Sequence, residues 1–407
     1  MSTTTLDNGL LVTLLPTHHI PVTDIRLVIP AARTATALPA AVDVLAAAVL
    51  AGSRRTDRTA LADRAADVGA VLNASLTPES LVLSATVLSS GTVTALSLLA
   101  EVCTAPAYAA GEVDLARGRL AATTGSPQPA ARLERQLLRH RFGEHPLTAE
   151  PPTSQELLEV TREDVVRTHH HLVVPQGTTL LVTGDFRPTT VLTAVELAFG
   201  PWTGPPSHAV RPPFPAHPQA GSFTMHQLHT SESITAVAAT SVALDHPDLP
   251  SLHLLSLALG GMRSSRLVYT LRERTGRVYG VECGLRHTRV GSWLMVRARS
   301  APRTGHRIAA DIHRCINTVA ISGITEQEAE AARDYAIGYT DLAISNQYSA
   351  ANAYAGFLMQ GIDPTWPSDF SESLRIVRPH DINAAGKYLR DSLTTGVLDK
   401  TPRGWPG

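Results

Sequence analysis

Midway along the chain, residues 201–220 read PWTGPPSHAVRPPFPAHPQA and place seven prolines in twenty positions. Proline fixes φ and removes a backbone donor, so no helix or central strand runs through such a stretch. The stretch predicts a semi-extended linker that holds two bodies apart. A chain of 407 residues also exceeds what a single hydrophobic core usually supports. Two domains are therefore expected, at 1–200 and 221–407, joined by the linker 201–220.

Apolar residues make up 43% of the chain and charged residues 17%, which predicts well-buried globular domains rather than disorder. The net charge of −1 gives no reason to expect nucleic acid or an anionic membrane as partner. Cys103, Cys283 and Cys315 lie far apart with no CxxC spacing, so neither a disulfide framework nor a cysteine zinc site is expected. The start MSTTTLDNGL lacks the basic and apolar regions of a signal peptide, and no apolar run reaches membrane length. These features predict a cytoplasmic protein.

The stretch Leu38–Ser53, LPAAVDVLAAAVLAGS, predicts a short helix buried on most sides. Alanine orders at no side-chain entropy cost, Pro39 suits the first helical position and Gly52 suits the stop. Strands are predicted at 8–15, 22–29 and 81–87, with helices at Ala60–Val68, 91–104 and Glu112–Ala122. Asp57 or Thr59 would cap the first of these helices, and Thr161-x-x-Asp164 reads as a capping box for a helix from Thr161 to His170. Further on come a strand at Thr178–Asp185 and a helix at Thr189–Phe199. After the linker the plan repeats: strands at 222–229 and 233–243, then Leu249-Pro250 followed by SLHLLSLALGG, an echo of Leu38-Pro39 and its helix. Helices are expected at Thr325–Ser345, Gln347–Gln360 and His380–Arg390, and a poorly ordered tail at TPRGWPG. The expected fold class is α+β, with two related domains, each a mostly antiparallel sheet with helices packed on it.

Several of these segments together resemble one known family. The opening LDNGLLVTLLP, the helix ending in Gly52-Ser53, the helix Ala60–Val68 and the turn from Gly69 to Asn73-Ala74 are similar to the pitrilysin/insulinase zinc peptidases, the inverzincins, of the two-domain processing type. Phe142–Pro146 and the Val-rich strand ending in Gly184-Asp185 extend the match. In that family H-x-x-E-H on the first helix supplies two zinc ligands and a general base. Aligned on Gly52-Ser53, those places hold Asp43, Ala46 and Ala47; the distal glutamate ligand falls near Thr123 and its supporting glutamate near Ala116. Methyl groups bind no zinc, and a catalytic zinc normally takes three protein ligands. No metal ligands and no cofactor are therefore expected in this chain.

The second half carries the stronger match. SSRLVYTLRERTGRVYGVECGL, residues 264–285, resembles the family's second-domain signature, and Gly260-Gly261 before it matches a glycine turn. The resemblance implies that Arg272 binds a peptide carbonyl, that Tyr279, seven positions on, donates to the developing oxyanion, and that Asn73 contributes to substrate binding. Tyr is a neutral donor at pH 7 and Arg a permanent cation. Without the resemblance, Arg272 reads as a solvated charge and Tyr279 as a half-buried strand aromatic. The histidines His18-His19, His140, His145, His169-His170-His171 and His313 have no ligand spacing and read as structural.

The family's heterodimeric members divide H-x-x-E-H and the Arg/Tyr pair between two chains. The resemblance thus implies a non-catalytic, substrate-binding subunit with no metal-dependent activity of its own. Its implied partners are a homologous catalytic subunit carrying H-x-x-E-H and zinc, and a flexible peptide such as the leader of a ribosomally made natural product. The alternative is a structural core-type subunit of a larger assembly, in which Arg272 and Tyr279 point into packing. A third reading, a rebuilt metal site near Asp43, would need His or carboxylate partners beside it.

Overall fold

The computed structural model describes residues 1–30, 38–124, 128–145, 148–205, 218–228, 230–288, 291–362, 366–390 and 393–401. Most of the proline stretch (206–217), Pro127, Pro146 and the tail from 402 lie outside the described residues. The chain forms two compact units: Met1–Ser126 with Pro151–Val210 and Ala343–Pro364, and Pro127–Glu150 with Arg211–Leu342 and Thr365–Gly407.

In the first unit the strands are β1 (Ser2–Thr5), β2 (Leu11–Pro16), β3 (Val22–Pro30), β4 (Val71–Leu76), β5 (Ser80–Leu88) and β6 (Thr179–Gly184). They lie in the order β1-β2-β6-β3-β5-β4, antiparallel throughout except for β2 beside β6. The strands of the second unit are β7 (Gly221–Gln227), β8 (Ser233–Thr240), β9 (Val278–Thr288), β10 (Gly291–Ser300) and β11 (Thr394–Lys400). Their order is β7-β11-β8-β10-β9, again with one parallel pair, β7 beside β11. Apart from β1, the two sheets have the same order, the same directions and the same sequence of strands. The α+β plan with two related halves is what the structure has.

Helices α1 (Pro39–Ala48), α2 (Arg58–Asp67), α3 (Thr92–Thr104) and α4 (Ala110–Thr124) follow the expected segments closely. Next come α5 (Pro129–Phe142), α6 (Ser154–Glu159), α7 (Arg162–Leu172) and α8 (Pro188–Phe199). Pro129 opens α5 at its first turn, where its missing donor costs nothing. The remaining helices are α9 (Leu249–Ser256), α10 (Gly305–Ser322), α11 (Glu326–Ala343), α12 (Gln347–Met359), α13 (Trp366–Ile376), α14 (Pro379–Ala384) and α15 (Lys387–Arg390). The expected helix from His380 to Arg390 is thus two short helices, broken at Ala385-Gly386.

Each sheet buries one face under most of its own helices. In the first unit Ile25, Leu27, Leu81 and Leu83 of the sheet join Val42, Leu45, Leu96 and Leu99 of α1 and α3 in one core. The opposite face is covered by a helix from the other half of the sequence. α12 lays Ala355 and Leu358 on Val28, Val82 and Leu181. In the second unit α5 lays Leu133, Leu137, Leu138 and Phe142 on Ile234, Ala238, Trp293, Met295 and Leu398. The division expected at 1–200 and 221–407 therefore places α5 and α12 apart from the sheets they actually cover. Hydrophobic periodicity names the buried face of a helix but not the surface that buries it.

Candidate functional site

α1 is buried as its composition predicts, through Ala40, Ala41, Val42, Val44, Leu45 and Ala48. Pro39 occupies its first turn. The chain leaves through Gly52, whose φ of +122° and whose position, 2.8 Å from added Cβ to the Thr56 carbonyl oxygen, admit no side chain. Beyond it the Ser53 hydroxyl donates to the buried Glu101 carboxylate, which also accepts from Thr56 Oγ1 and Arg64 Nη1, each at 2.8 Å. Burial alone would raise the Glu101 carboxyl, but these donors outweigh it and hold the pKa below its ordinary value. The helix end at Gly52-Ser53 is therefore fixed by a polar cluster, and Asp57 caps α2 by accepting from the Ala60 amide at 2.8 Å.

α1 packs against α4 and α7. That pairing brings the helix of Asp43, Ala46 and Ala47 beside the helix of Ala116 and Thr123. Asp43 and Ala46 are half-buried and Ala47 is exposed. Ala116 is buried, and the exposed Thr123 hydroxyl is turned back onto the Arg119 and Leu120 carbonyls at 3.1 and 3.0 Å. The five positions supply one carboxylate, three methyl groups and a hydroxyl already used on its own helix. Among the described residues no group of three or more His, Cys, Asp and Glu could hold a metal ion.

The histidines are used elsewhere. His169 is buried between the Tyr108 hydroxyl and the Cys103 carbonyl, both at 2.8 Å, and desolvation pushes its pKa down to about 4. His18 contacts Asp185 at 2.7 Å, and His313 contacts Thr395 Oγ1 at 2.7 Å.

In the second unit the counterpart of α1 is α9, which likewise follows the strand that pairs with the central antiparallel neighbour and carries Pro250 in its first turn. It does not end cleanly. Residues Leu257–Gly261 continue as a π-helical turn, and Val268–Glu273 form a second one. In the second, the Arg274 amide reaches the Tyr269 carbonyl, five residues back, at 2.8 Å. Wider turns of this kind are uncommon and concentrate at functional sites. Gly260 has a packing reason: an added Cβ would stand 2.5 Å from the Cβ of Cys283 on β9, so only glycine lets this segment close on the strand.

Arg272 lies in the second π-helical turn and its side chain is exposed. Tyr279 lies on β9, the edge strand of its sheet, and is 62% exposed. The register of β9 on β10 pairs Gly280 with Arg299 and Val278 with Ser300, leaving Tyr279 as the extra residue of a β-bulge. A bulge bends the strand and re-aims the side chain it carries. Asn73 is exposed on β4, the edge strand of the first sheet, opposite Ser84. Arg272 and Tyr279 thus fall on consecutive elements that pack together, whereas Asn73 belongs to the other unit. Arg272 and Tyr279 are candidates from the sequence; the π turn and the bulge that carry them come from the structure alone.

Residues 159–335 match the family described as the peptidase M16 inactive domain. Over that segment the chain is similar to the M16 inactive domain. The whole chain has the fold of that family's solved members. It superposes on a peptidase M16 inactive-domain structure from Pseudomonas fluorescens with TM-score 0.89 at 19% identity, covering 100% of this chain and 99% of that one. A protease from Helicobacter pylori gives 0.86 at 18% identity, covering 98% and 99%. The periplasmic protease PqqL of Escherichia coli gives 0.80 at 16% identity, covering 98% of this chain but 46% of that longer one. No curated protein matches the chain. The match takes in residues 264–285, and the shared fold agrees with the pitrilysin-type resemblance read from that segment and from LDNGLLVTLLP. Among the described residues no helix is long and apolar enough to cross a membrane.

Proposed function

We propose that this chain is the substrate-binding subunit of a heterodimeric zinc endopeptidase, paired with a homologous subunit that carries H-x-x-E-H. One contrast supports the reading. α1 and α4 keep their mutual packing without a ligand set, while Arg272 and Tyr279 stand exposed on a π turn and a bulge, two irregular elements that an inert scaffold has no need to keep. A purely structural subunit would bury both side chains in packing; Tyr279 at 62% exposure speaks against that alternative.

In the proposed complex the partner supplies the metal and the general base. Arg272, with five fixed donors and a permanent charge, holds a carbonyl of the bound peptide backbone. Tyr279 donates its phenolic proton to the oxygen on which negative charge develops as the scissile carbonyl is attacked, and such a preplaced donor is worth roughly 3 kcal/mol. Asn73, on an exposed sheet edge, offers an amide to an extended peptide added along β4. The substrate is a flexible peptide, and removal of leaders from ribosomally made natural products suits such a pair. The three free thiols support a reducing, cytoplasmic setting.

The test is to co-express the homologous chain bearing H-x-x-E-H and compare cleavage of an unstructured peptide by the mixture and by each chain alone. The reading predicts chelator-sensitive cleavage by the mixture only. Chelator-sensitive cleavage by this chain alone would overturn it.

A further inference from the structure

The π-helical segment carrying Arg272 has a second feature on another of its sides. It lies alongside α10, and the groove between them encloses about 470 Å³ lined by Arg266, Arg274, Arg277 and Arg314 with the single carboxylate of Asp311. We propose that this groove is a carboxylate-binding subsite, and that the peptide taken by this chain places acidic side chains in it. The inference rests on the peptide-binding reading and adds the chemistry of the substrate.

Three of the four arginines are held in place by the protein itself. Asp311 is buried, with Arg277 Nη1 at 2.9 Å and Arg314 in direct contact. Arg266 grips Glu328 in a two-pronged pair at 2.6 and 2.7 Å, and its pKa is raised by that pairing. Four guanidiniums thus face two carboxylates, an excess of two positive charges in a chain whose net charge is −1. Each guanidinium carries five donors in a rigid fork, so the pairs with Asp311 and Glu328 leave donors over. The Arg274 side chain makes no hydrogen bond or ion pair among the described residues, and it is exposed.

Geometry favours an extended acidic segment over a nucleic acid. Asp311, Arg314, Cys315 and Thr318 lie three, four and seven positions apart on α10, which makes one stripe along the helix, and Tyr269 and Arg274 form the facing wall. This is a short local groove, not the long basic stripe that tracks a phosphate backbone. Arg274 is two residues from Arg272, so the two side chains leave the segment on different sides, and only Arg274 lines the groove. Fixed guanidinium forks match carboxylates bidentately, and charge-assisted bonds of this kind are stronger than neutral ones.

Fluorescence anisotropy with the full chain tests this. Two labelled disordered peptides are compared, one carrying a run of glutamates and its twin with glutamines in their place. The acidic peptide should bind about tenfold tighter or better, and the preference should shrink as salt is raised. Arg274→Glu, which disturbs no internal pair, should remove most of the preference and leave the affinity for the glutamine twin unchanged. Equal affinity of the twins overturns the carboxylate subsite while leaving peptide binding in place. Failure of both peptides to bind overturns the peptide-binding reading, and this inference with it.

Discussion

The two units repeat one strand order, β2-β6-β3-β5-β4 in the first and β7-β11-β8-β10-β9 in the second, with the same lone parallel pair. In each, a helix with proline in its first turn follows the strand β3 or β8. The counterparts then diverge. α1 is a regular helix in which Ala46 and Ala47 are good helix formers that need no partner. α9 loosens into π turns, and the strand beyond them bulges at Tyr279. Irregular turns and bulges forgo regular hydrogen bonding and persist where the surroundings hold them. One copy of the fold carries alanines through an unbroken helix, while the other copy keeps irregular local geometry around two polar side chains. Fold and chemistry are separable even inside one chain.

That contrast breaks if Tyr279 is inert. Tyr279→Phe in the assembled complex should lower turnover about 100-fold, as for loss of an oxyanion donor, with assembly by gel filtration unchanged; an unaltered rate leaves only scaffolding. The two cross-supplied helices give a comparison of stability. α5 seats Leu137 in an apolar cluster with Trp293, Met295 and Leu398. α12 rests on a smaller patch together with polar contacts: Gln347 Nε2 to the Val22 carbonyl at 2.8 Å, and Arg26 Nε to Asn352 at 3.1 Å. Leu137→Ala should cost about 3 kcal/mol and Leu358→Ala, at the rim of its patch, about 2 kcal/mol, read by urea unfolding.

The response to acid sharpens the comparison further. Desolvation holds His169 in the first unit, and His253 and His287 in the second, at about 4. Each binds more protons unfolded, where its ordinary value is about 6.5. Their contribution is therefore complete above about pH 6.5 and is lost as pH falls toward 4. The urea midpoint should drop between pH 7.5 and 5, and His169→Gln should flatten the share of the first unit. Asp57→Ala, which removes the cap of α2, should cost about 1 kcal/mol. Ala47→Glu, on the exposed side of α1, should change stability by less than about 0.5 kcal/mol.

Local rules carried the sequence reading far. The Asp57 cap, the Thr161–Asp164 capping box and Pro39 all stand where propensity and spacing put them. Long-range facts were hidden. α5 opens on Pro129, a residue that interrupts a helix anywhere but its first turn, and β11 contains Gly396, where an added Cβ would come 2.7 Å from the Phe223 ring. β1 is four exposed residues with no apolar alternation. α10 was legible in principle, since Ile308, Ile312, Ile316 and Val319 are spaced as a buried helical stripe. The arginine groove was not, because Arg314 comes from a helix some forty positions beyond Arg272.

The most direct measurement is the metal content of this chain purified alone and of its complex with the proposed H-x-x-E-H partner. Elemental analysis should find stoichiometric zinc in the complex and none retained by the isolated chain. Stoichiometric zinc bound within the first unit of the isolated chain would contradict the division of labour proposed here.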